Sequence, residues 1–247
     1  NVQSGLDVQF EDMTGHFGVL SLMGPRARDI LAKVSRSDVS DAALPFMACK
    51  IIDLGGPDVR ALRVTYVGEL GYELHIAIND LPAAYDRLIQ AGAEFGLKNC
   101  GYRAIESLRL EKGYRAWGAD INADSTPYEA GLRFAVRKSG GFQGEAALKA
   151  APLKRMLATF SVDDPSIVLL GRETIFRNGE QVGYLTSGGF GYTLNTNIGL
   201  GYVRQEAGIT RDFVLSGDYE LEIACQRHAA KVSLAALYDP NNERVRG

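Results

Sequence analysis

Near its middle, this 247-residue chain changes from mixed strand and helix signals to strand signals alone. Residues 139–154 are rich in Gly, Ala and Lys and contain Pro152. Beyond them, apolar alternation predicts strands near 155–162, 172–177, 181–186, 197–204, 213–224 and 229–236. Asn178-Gly179 separates two of these runs, and such a pair reaches the positive φ values of a two-residue hairpin at little cost. Short strands joined by tight turns bury one face by closing or stacking, so roughly 90 residues of this pattern predict a small barrel or sandwich. The boundary is set between residues 148 and 149, dividing the chain into 1–148 and 149–247.

The earlier part reads differently. Residues 17–22 (FGVLSL) predict a strand, broken by Gly24-Pro25, with a helix from Pro25 to about Val34. An extended region follows near 46–54. Residues 60–66 alternate, with Leu62, Val64 and Tyr66 on one face, and residues 72–78 alternate again through Tyr72, Leu74, Ile76 and Ile78. The glycine-bearing turn at 67–71 predicts a hairpin between them. Asp80 is placed to cap a helix whose apolar positions are Leu81, Ala84, Tyr85, Leu88, Ile89 and Phe95, ended by Gly96. A second helix over about 101–112 is expected to bury Ala104, Ile105 and Leu108 and to stop at Gly113. The β-α-β-β-α order is that of a ferredoxin-like unit, so the fold class is α+β followed by a small all-β barrel.

Composition narrows the function. A net charge of −3 advertises no basic face for nucleic acid. Lys149, Lys154 and Arg155 read as solvated linker charges. Cys49, Cys100 and Cys225 are odd in number and widely spaced, which fits a reducing compartment rather than a disulfide framework. His16, His75 and His228 lie far apart, and no metal site is expected. No apolar run approaches the roughly 20 residues that span a bilayer. The first residue is Asn1, so a processed or partial chain is expected. Gly188-Gly189-Phe190-Gly191 lacks a following helix and is read as turns, not as a phosphate loop. No GxSxG segment supports a nucleophilic serine.

Two blocks carry the chemistry: YVGELGYE at 66–73 and SLRLEKGYRAWGADINADSTPYEAGL at 107–132. A carboxylate such as Glu73, opposite the apolar row of its strand, is ordinarily a solvated side chain. Its functional reading is as acceptor of two parallel N–H bonds from a guanidine-like edge, which a pterin or guanine ring presents. Tyr66 is either core packing or a stacking surface for that ring. Tyr114 and Trp117 follow a helix end, where ligands often meet the scaffold.

These blocks resemble the aminomethyltransferase family, the T-protein of glycine cleavage and its relatives. YVGELGYELHI is similar to the family's Y-T-G-E-x-G-[FY]-E segment, and MGPRARDIL to its G-P-x-A motif. SGGFGYTLNTNIGLGYV and LYDPNNERVRG resemble its C-terminal portion. The EKGYRAWG wording is closer to the folate domain at the C-terminal end of sarcosine and dimethylglycine dehydrogenases, which are large flavoproteins.

The resemblance implies tetrahydrofolate as cofactor, with Tyr66, Glu73 and Tyr114 at the pterin. It also implies one-carbon transfer from a small amine donor to give 5,10-methylenetetrahydrofolate. The alternative it leaves is a non-catalytic folate-binding or flavoprotein-docking module. The family's catalytic aspartate falls upstream of Asn1, so no catalytic residue is assigned here. The family arginine before S-L-R-L-E falls on Ile105, and Arg103 is not taken as its substitute. The implied partners are an N-terminal segment of the family fold or a flavin-containing domain, with oligomerisation as another way to cover exposed edges. Neither nucleic acid nor membrane is expected. The implied location is the cytoplasm, or the mitochondrial matrix in a eukaryote.

Overall fold

The computed structural model describes residues 7–247, which form two compact units. One contains the chain up to Thr65, Glu69–Asn99 and Glu243–Gly247; the other contains Tyr66–Gly68 and Cys100–Asn242.

In the first unit, β1 (Phe17–Met23) leads into α1 (Ala27–Val34). Gly24 adopts φ 131°, and its carbonyl accepts from the Ala27 amide at 3.0 Å. Pro25 therefore lies in the turn before the helix rather than in its first turn. Ala27, Ile30 and Leu31 form the buried stripe of α1. β2 (Cys49–Asp53), β3 (Asp58–Leu62), β4 (Gly71–Ala77) and α2 (Leu81–Gly92) follow. The strands form one antiparallel sheet in the order β1-β4-β3-β2. The unit thus has one strand more than a β-α-β-β-α order, because the extended region near 46–54 is hydrogen-bonded into the sheet. Leu22, Ile52, Val59, Ala61, Tyr72, Leu74 and Ile76 pack in one core with the buried residues of α1 and with Ala84 and Leu88 of α2. Pro82 lies in the first turn of α2, while the Asp80 side chain makes no capping bond. Gly96 closes the following turn at φ 72°.

The expected face of β3 is reversed. Val59 and Ala61 point into the core, Leu62 is half-buried, and Val64 and Tyr66 lie beyond the strand. The cause is Arg63, which is fully buried at the next inward position. Its guanidinium bonds Asp41, the Leu44 carbonyl (3.0 Å) and the Arg246 carbonyl. A charged residue at an inward position breaks the apolar alternation on which the sequence reading relied. Ile78 falls just past the end of β4 and is exposed.

In the second unit, α3 (Tyr102–Glu111) and the short α4 (Glu145–Ala150) precede β5 (Arg155–Val162), β6 (Thr174–Arg177), β7 (Glu180–Gly191) and β8 (Thr196–Arg204). Then come α5 (Arg211–Leu215), β9 (Tyr219–Ile223) and β10 (Gln226–Ser233), while α6 (Glu243–Arg246) belongs to the first unit. The six strands close into a barrel in the order β10-β5-β8-β7-β6-β9. Asn178 (φ 51°) and Gly179 (φ 84°) make the two-residue turn between β6 and β7, with Arg177 paired to Glu180. Phe160, Leu169, Ile175, Leu185, Val203 and Leu221 fill the barrel interior cluster. Leu110 of α3 packs in a second cluster with Leu157, Ile198, Leu200 and Tyr202.

Four expectations need correction here. α3 buries Arg109, Leu110 and Glu111; Ala104 is exposed, and Ile105 and Leu108 are half-buried. The Gly188–Gly191 run is not a turn but the end of β7, paired with Thr196–Gly199. A Cβ on Gly188 would lie 2.7 Å from the Gly171 amide nitrogen, so close backbone approach requires glycine there. The strand expected from residue 213 starts at Tyr219, because Thr210 caps α5 by accepting from the Phe213 amide at 3.1 Å. Arg155 is no linker charge: it pairs with Glu129 at 3.0 Å and lies over the Tyr202 ring.

Candidate functional site

Gly113 ends α3 at φ 68°, a conformation cheap only for glycine. Its amide donates to the Leu110 carbonyl at 3.0 Å, and the Tyr114 amide to the Arg109 carbonyl at 2.9 Å. This turn directs Tyr114 onto Tyr66. The two rings stack with centroids 5.8 Å apart and planes within 10°. That spacing is an offset stack in direct contact, so a third flat ring meets the outer faces of the pair rather than the gap. The Tyr66 hydroxyl donates to the Arg115 carbonyl at 3.0 Å, which fixes the ring's far end. Burial raises the pKa of both phenols, and for Tyr114 the Asp239 carboxylate adds to the effect. Both rings are therefore neutral near pH 7 and present uncharged π faces.

Behind this pair stands a buried polar network absent from the sequence reading. Arg109 donates to Asp120 at 2.6 Å, to Glu106 at 2.7 and 3.0 Å, to the Ser187 hydroxyl at 2.9 Å and to the Tyr114 carbonyl at 3.2 Å. Burial opposes the charge on Arg109, but Asp120 and Glu106 outweigh it and its pKa is raised. Asp120 also accepts from the Ala116 amide (2.9 Å) and from the hydroxyls of Thr186 (2.5 Å) and Ser187 (2.7 Å). The Tyr202 hydroxyl donates to the Asp120 carbonyl at 3.0 Å. Glu111 accepts from the amides of Thr193 and Leu194 at 2.7 and 2.9 Å. A guanidinium fork held by two carboxylates fixes the end of α3 and hence the start of the Tyr114 turn. The signal was present in the SLRLE segment, where charges at 109 and 111 sit on the same helix as the apolar Leu110.

Glu73 lies in the other unit. It is half-buried on the face of β4 turned away from the helices, opposite Ser21 on β1 and Leu62 on β3. His75 shares that face, with its Nε2 3.9 Å from the Glu73 carboxylate, beyond hydrogen-bond reach. The carboxylate thus keeps acceptor capacity for an incoming N–H pair. Trp117 is 75% exposed, and Arg103 is exposed on α3. The three cysteines are free and exposed, and no cluster suited to a metal ion occurs among the described residues. No helix among the described residues is long and apolar enough to cross a membrane.

Known proteins place this architecture. Residues 1–140 match the GCVT N-terminal domain, and residues 155–239 match the glycine cleavage T-protein C-terminal barrel domain. The chain is 42% identical over 246 residues to mitochondrial sarcosine dehydrogenase of Mus musculus, covering 97% of this chain and 27% of that protein. It is 39% identical over 207 residues to mitochondrial dimethylglycine dehydrogenase of Homo sapiens, covering 82% of this chain and 24% of that protein. The crystal structure of glycine cleavage system aminomethyltransferase T from Bartonella henselae superposes with a TM-score of 0.76 at 26% identity, covering 91% of this chain and 60% of that one. The chain therefore spans about a quarter of the length of these dehydrogenase relatives. With both domain models matched in order and the fold shared, this chain belongs to the glycine cleavage T-protein (aminomethyltransferase) family.

Proposed function

We propose that this chain is the folate-binding part of an enzyme that moves a one-carbon unit, already at the methylene level, to tetrahydrofolate, from an aminomethyl amine or from the iminium left when a flavin-containing domain oxidises a small N-methylated amine. The observation that carries the reading is the Tyr66–Tyr114 stack, 5.8 Å between centroids, at the end of a helix braced by buried ion pairs in a member of the T-protein family.

The residues fit the cofactor's chemistry. Tyr66 and Tyr114 offer neutral ring faces to a pterin, and Glu73 offers a carboxylate to its adjacent N–H donors. When bound, tetrahydrofolate supplies the nitrogen that accepts the one-carbon unit. The contribution of this chain is to orient the ring and exclude water from its faces. The rigid Arg109–Asp120 pair limits how far Tyr114 can move, so less ordering is left for the moment of binding. None of Tyr66, Tyr114 or Glu73 is assigned a proton-transfer role; the catalytic carboxylate of the reading is not among the residues named here. The division at 148/149, a flavin-containing domain in the same polypeptide and a mitochondrial matrix location in a eukaryotic source belong to the same proposal. The matrix location is supported by the mitochondrial names of the dehydrogenase relatives and a further domain by their greater length; the division at 148/149 lies between the two matched domain models.

The test is product analysis on the full-length protein that contains this chain, supplied with an N-methylated glycine and tetrahydrofolate. The proposal expects 5,10-methylenetetrahydrofolate to accumulate at the expense of free formaldehyde. Equal formaldehyde release with and without tetrahydrofolate contradicts it.

A further inference from the structure

Lysine is seldom buried, because its ammonium gives up water and needs an acceptor in exchange. Lys112 follows the last residue of α3 and is only 4% exposed. Its Nζ donates to the Asp239 carboxylate at 3.0 Å and also to the Asp239 carbonyl. The side chains of this pair are 2% and 6% exposed. A buried pair of this kind adds little net stability over apolar residues of similar size.

Three pieces of chain, all in one compact unit, meet at this pair. The first is the strip that carries Tyr66. Gly68 adopts φ 78°, and a Cβ there would lie 3.1, 3.2 and 3.3 Å from Cβ, Cγ and Cδ of Lys112. The lysine stem therefore lies directly against the Gly68 backbone, two residues past Tyr66. The second piece is the end of α3. The Lys112 amide donates to the Leu108 carbonyl at 3.2 Å, and two residues later Tyr114 enters its stack. The third is the segment 237–239, in which the Tyr238 amide donates to the Glu111 carbonyl at 3.0 Å. Asp239 also acts on the stack through its charge, as one cause of the raised Tyr114 pKa.

We propose that Lys112 is a positioning residue for the Tyr66–Tyr114 pair. Its stem sets the Tyr66 strip against the end of α3, and Asp239 holds the stem there. An ammonium released from Asp239 turns to water and draws the stem off Gly68. The consequence for the pterin, a correctly set stacking surface, rests on the folate reading above; the setting of the two rings does not.

Two readouts on this chain test the assignment: ring-to-ring NMR contacts between labelled Tyr66 and Tyr114, and calorimetric titration with 5-formyltetrahydrofolate. The wild type should show the ring contact. Lys112→Ala and the isosteric Asp239→Asn should weaken it and lower folate affinity about tenfold. Val214→Ala, which truncates a fully buried residue of the barrel core, serves as the control for general destabilisation. It should lower the melting temperature and leave both readouts at wild-type values. A wild-type value of either readout in Lys112→Ala or Asp239→Asn overturns the proposal, whatever their melting temperatures, and so does an equal loss in Val214→Ala. If Lys112→Ala does not fold, Asp239→Asn decides. If neither this chain nor the full-length protein binds folate, the folate reading fails and the ring contact alone decides on Lys112.

Discussion

Arg109 and Asp120 form a 2.6 Å ion pair in which the two side chains are only 2% and 0% exposed. Eleven positions apart in sequence, they bind the last turns of α3 to the segment after Trp117, and the tyrosine-bearing turn lies between them. Removing one partner leaves the other charged in a medium that solvates it poorly. Asp120→Ala should therefore cost about 3–5 kcal/mol, and Arg109→Met a similar amount. Urea unfolding monitored by circular dichroism measures both. A loss below about 1 kcal/mol, the level of an exposed pair, would show that the pair is solvated.

Gly188 has no space for a side chain. A Cβ there would lie 2.7 Å from the Gly171 nitrogen and 2.9 Å from the Leu169 carbonyl carbon, both backbone atoms. Gly188→Ala should destabilise by about 1–3 kcal/mol. Gly189→Ala meets only the flexible Leu110 side chain at 3.1 Å and should cost less. Thermal melts of the two variants side by side give the order directly.

The Tyr66 hydroxyl bond can be separated from the ring stack. Tyr66→Phe removes the 3.0 Å bond to the Arg115 carbonyl and keeps the ring, so it should cost about 0.5–1.5 kcal/mol of stability. It should leave most of any folate affinity. Tyr66→Ala also removes the stacking surface and should abolish that affinity. Equal folate affinity in the two variants would show that the ring face is not the contact.

Glu129 links stability to acid. Burial alone would raise its pKa, but the Arg155 side chain and the Thr126 amide outweigh burial, so it lies below the ordinary value of 4.5. A carboxyl depressed on folding contributes stability above its unfolded pKa and loses it as pH falls through the folded one. Denaturant midpoints should therefore drop below about pH 4.5 in the wild type, and Glu129→Gln should drop less steeply. Parallel slopes for the two would remove Glu129 from the acid response.

Much of this was legible in the sequence where local rules decide structure. Asn178-Gly179 gave its hairpin because two adjacent positive-φ residues fit few other contexts. The barrel strands followed from alternation, and Gly96 and Gly113 marked helix ends through left-handed geometry. The misreadings cluster where a charged residue takes a buried position. Arg63 reversed the apparent face of β3, and Arg109 with Glu111 hid the buried side of α3, because a charge is read from sequence as solvated unless its partner is known. Asp41 is 22 positions from Arg63, and Ser187 is 78 from Arg109, distances at which one sequence signals no pairing. Gly188–Gly191 was misread for the same reason: the Gly171 backbone that crowds Gly188 is distant in sequence. Of the candidate site, the stacked tyrosines were visible as residues of two motifs, while the network that braces them left only the charges at 109 and 111 beside Leu110 as a signal, with their partners out of reach of the sequence.

The central claim is that this chain binds reduced folate through Tyr66, Tyr114 and Glu73. Calorimetric titration with 5-formyltetrahydrofolate, of this chain and of the full-length protein, with Glu73→Gln alongside, tests it most directly. The account predicts binding by the wild type and a loss of about 1.5–3 kcal/mol in Glu73→Gln, the range for a hydrogen bond to a charged acceptor. Absence of binding by both wild-type proteins, or undiminished affinity in Glu73→Gln, would contradict it.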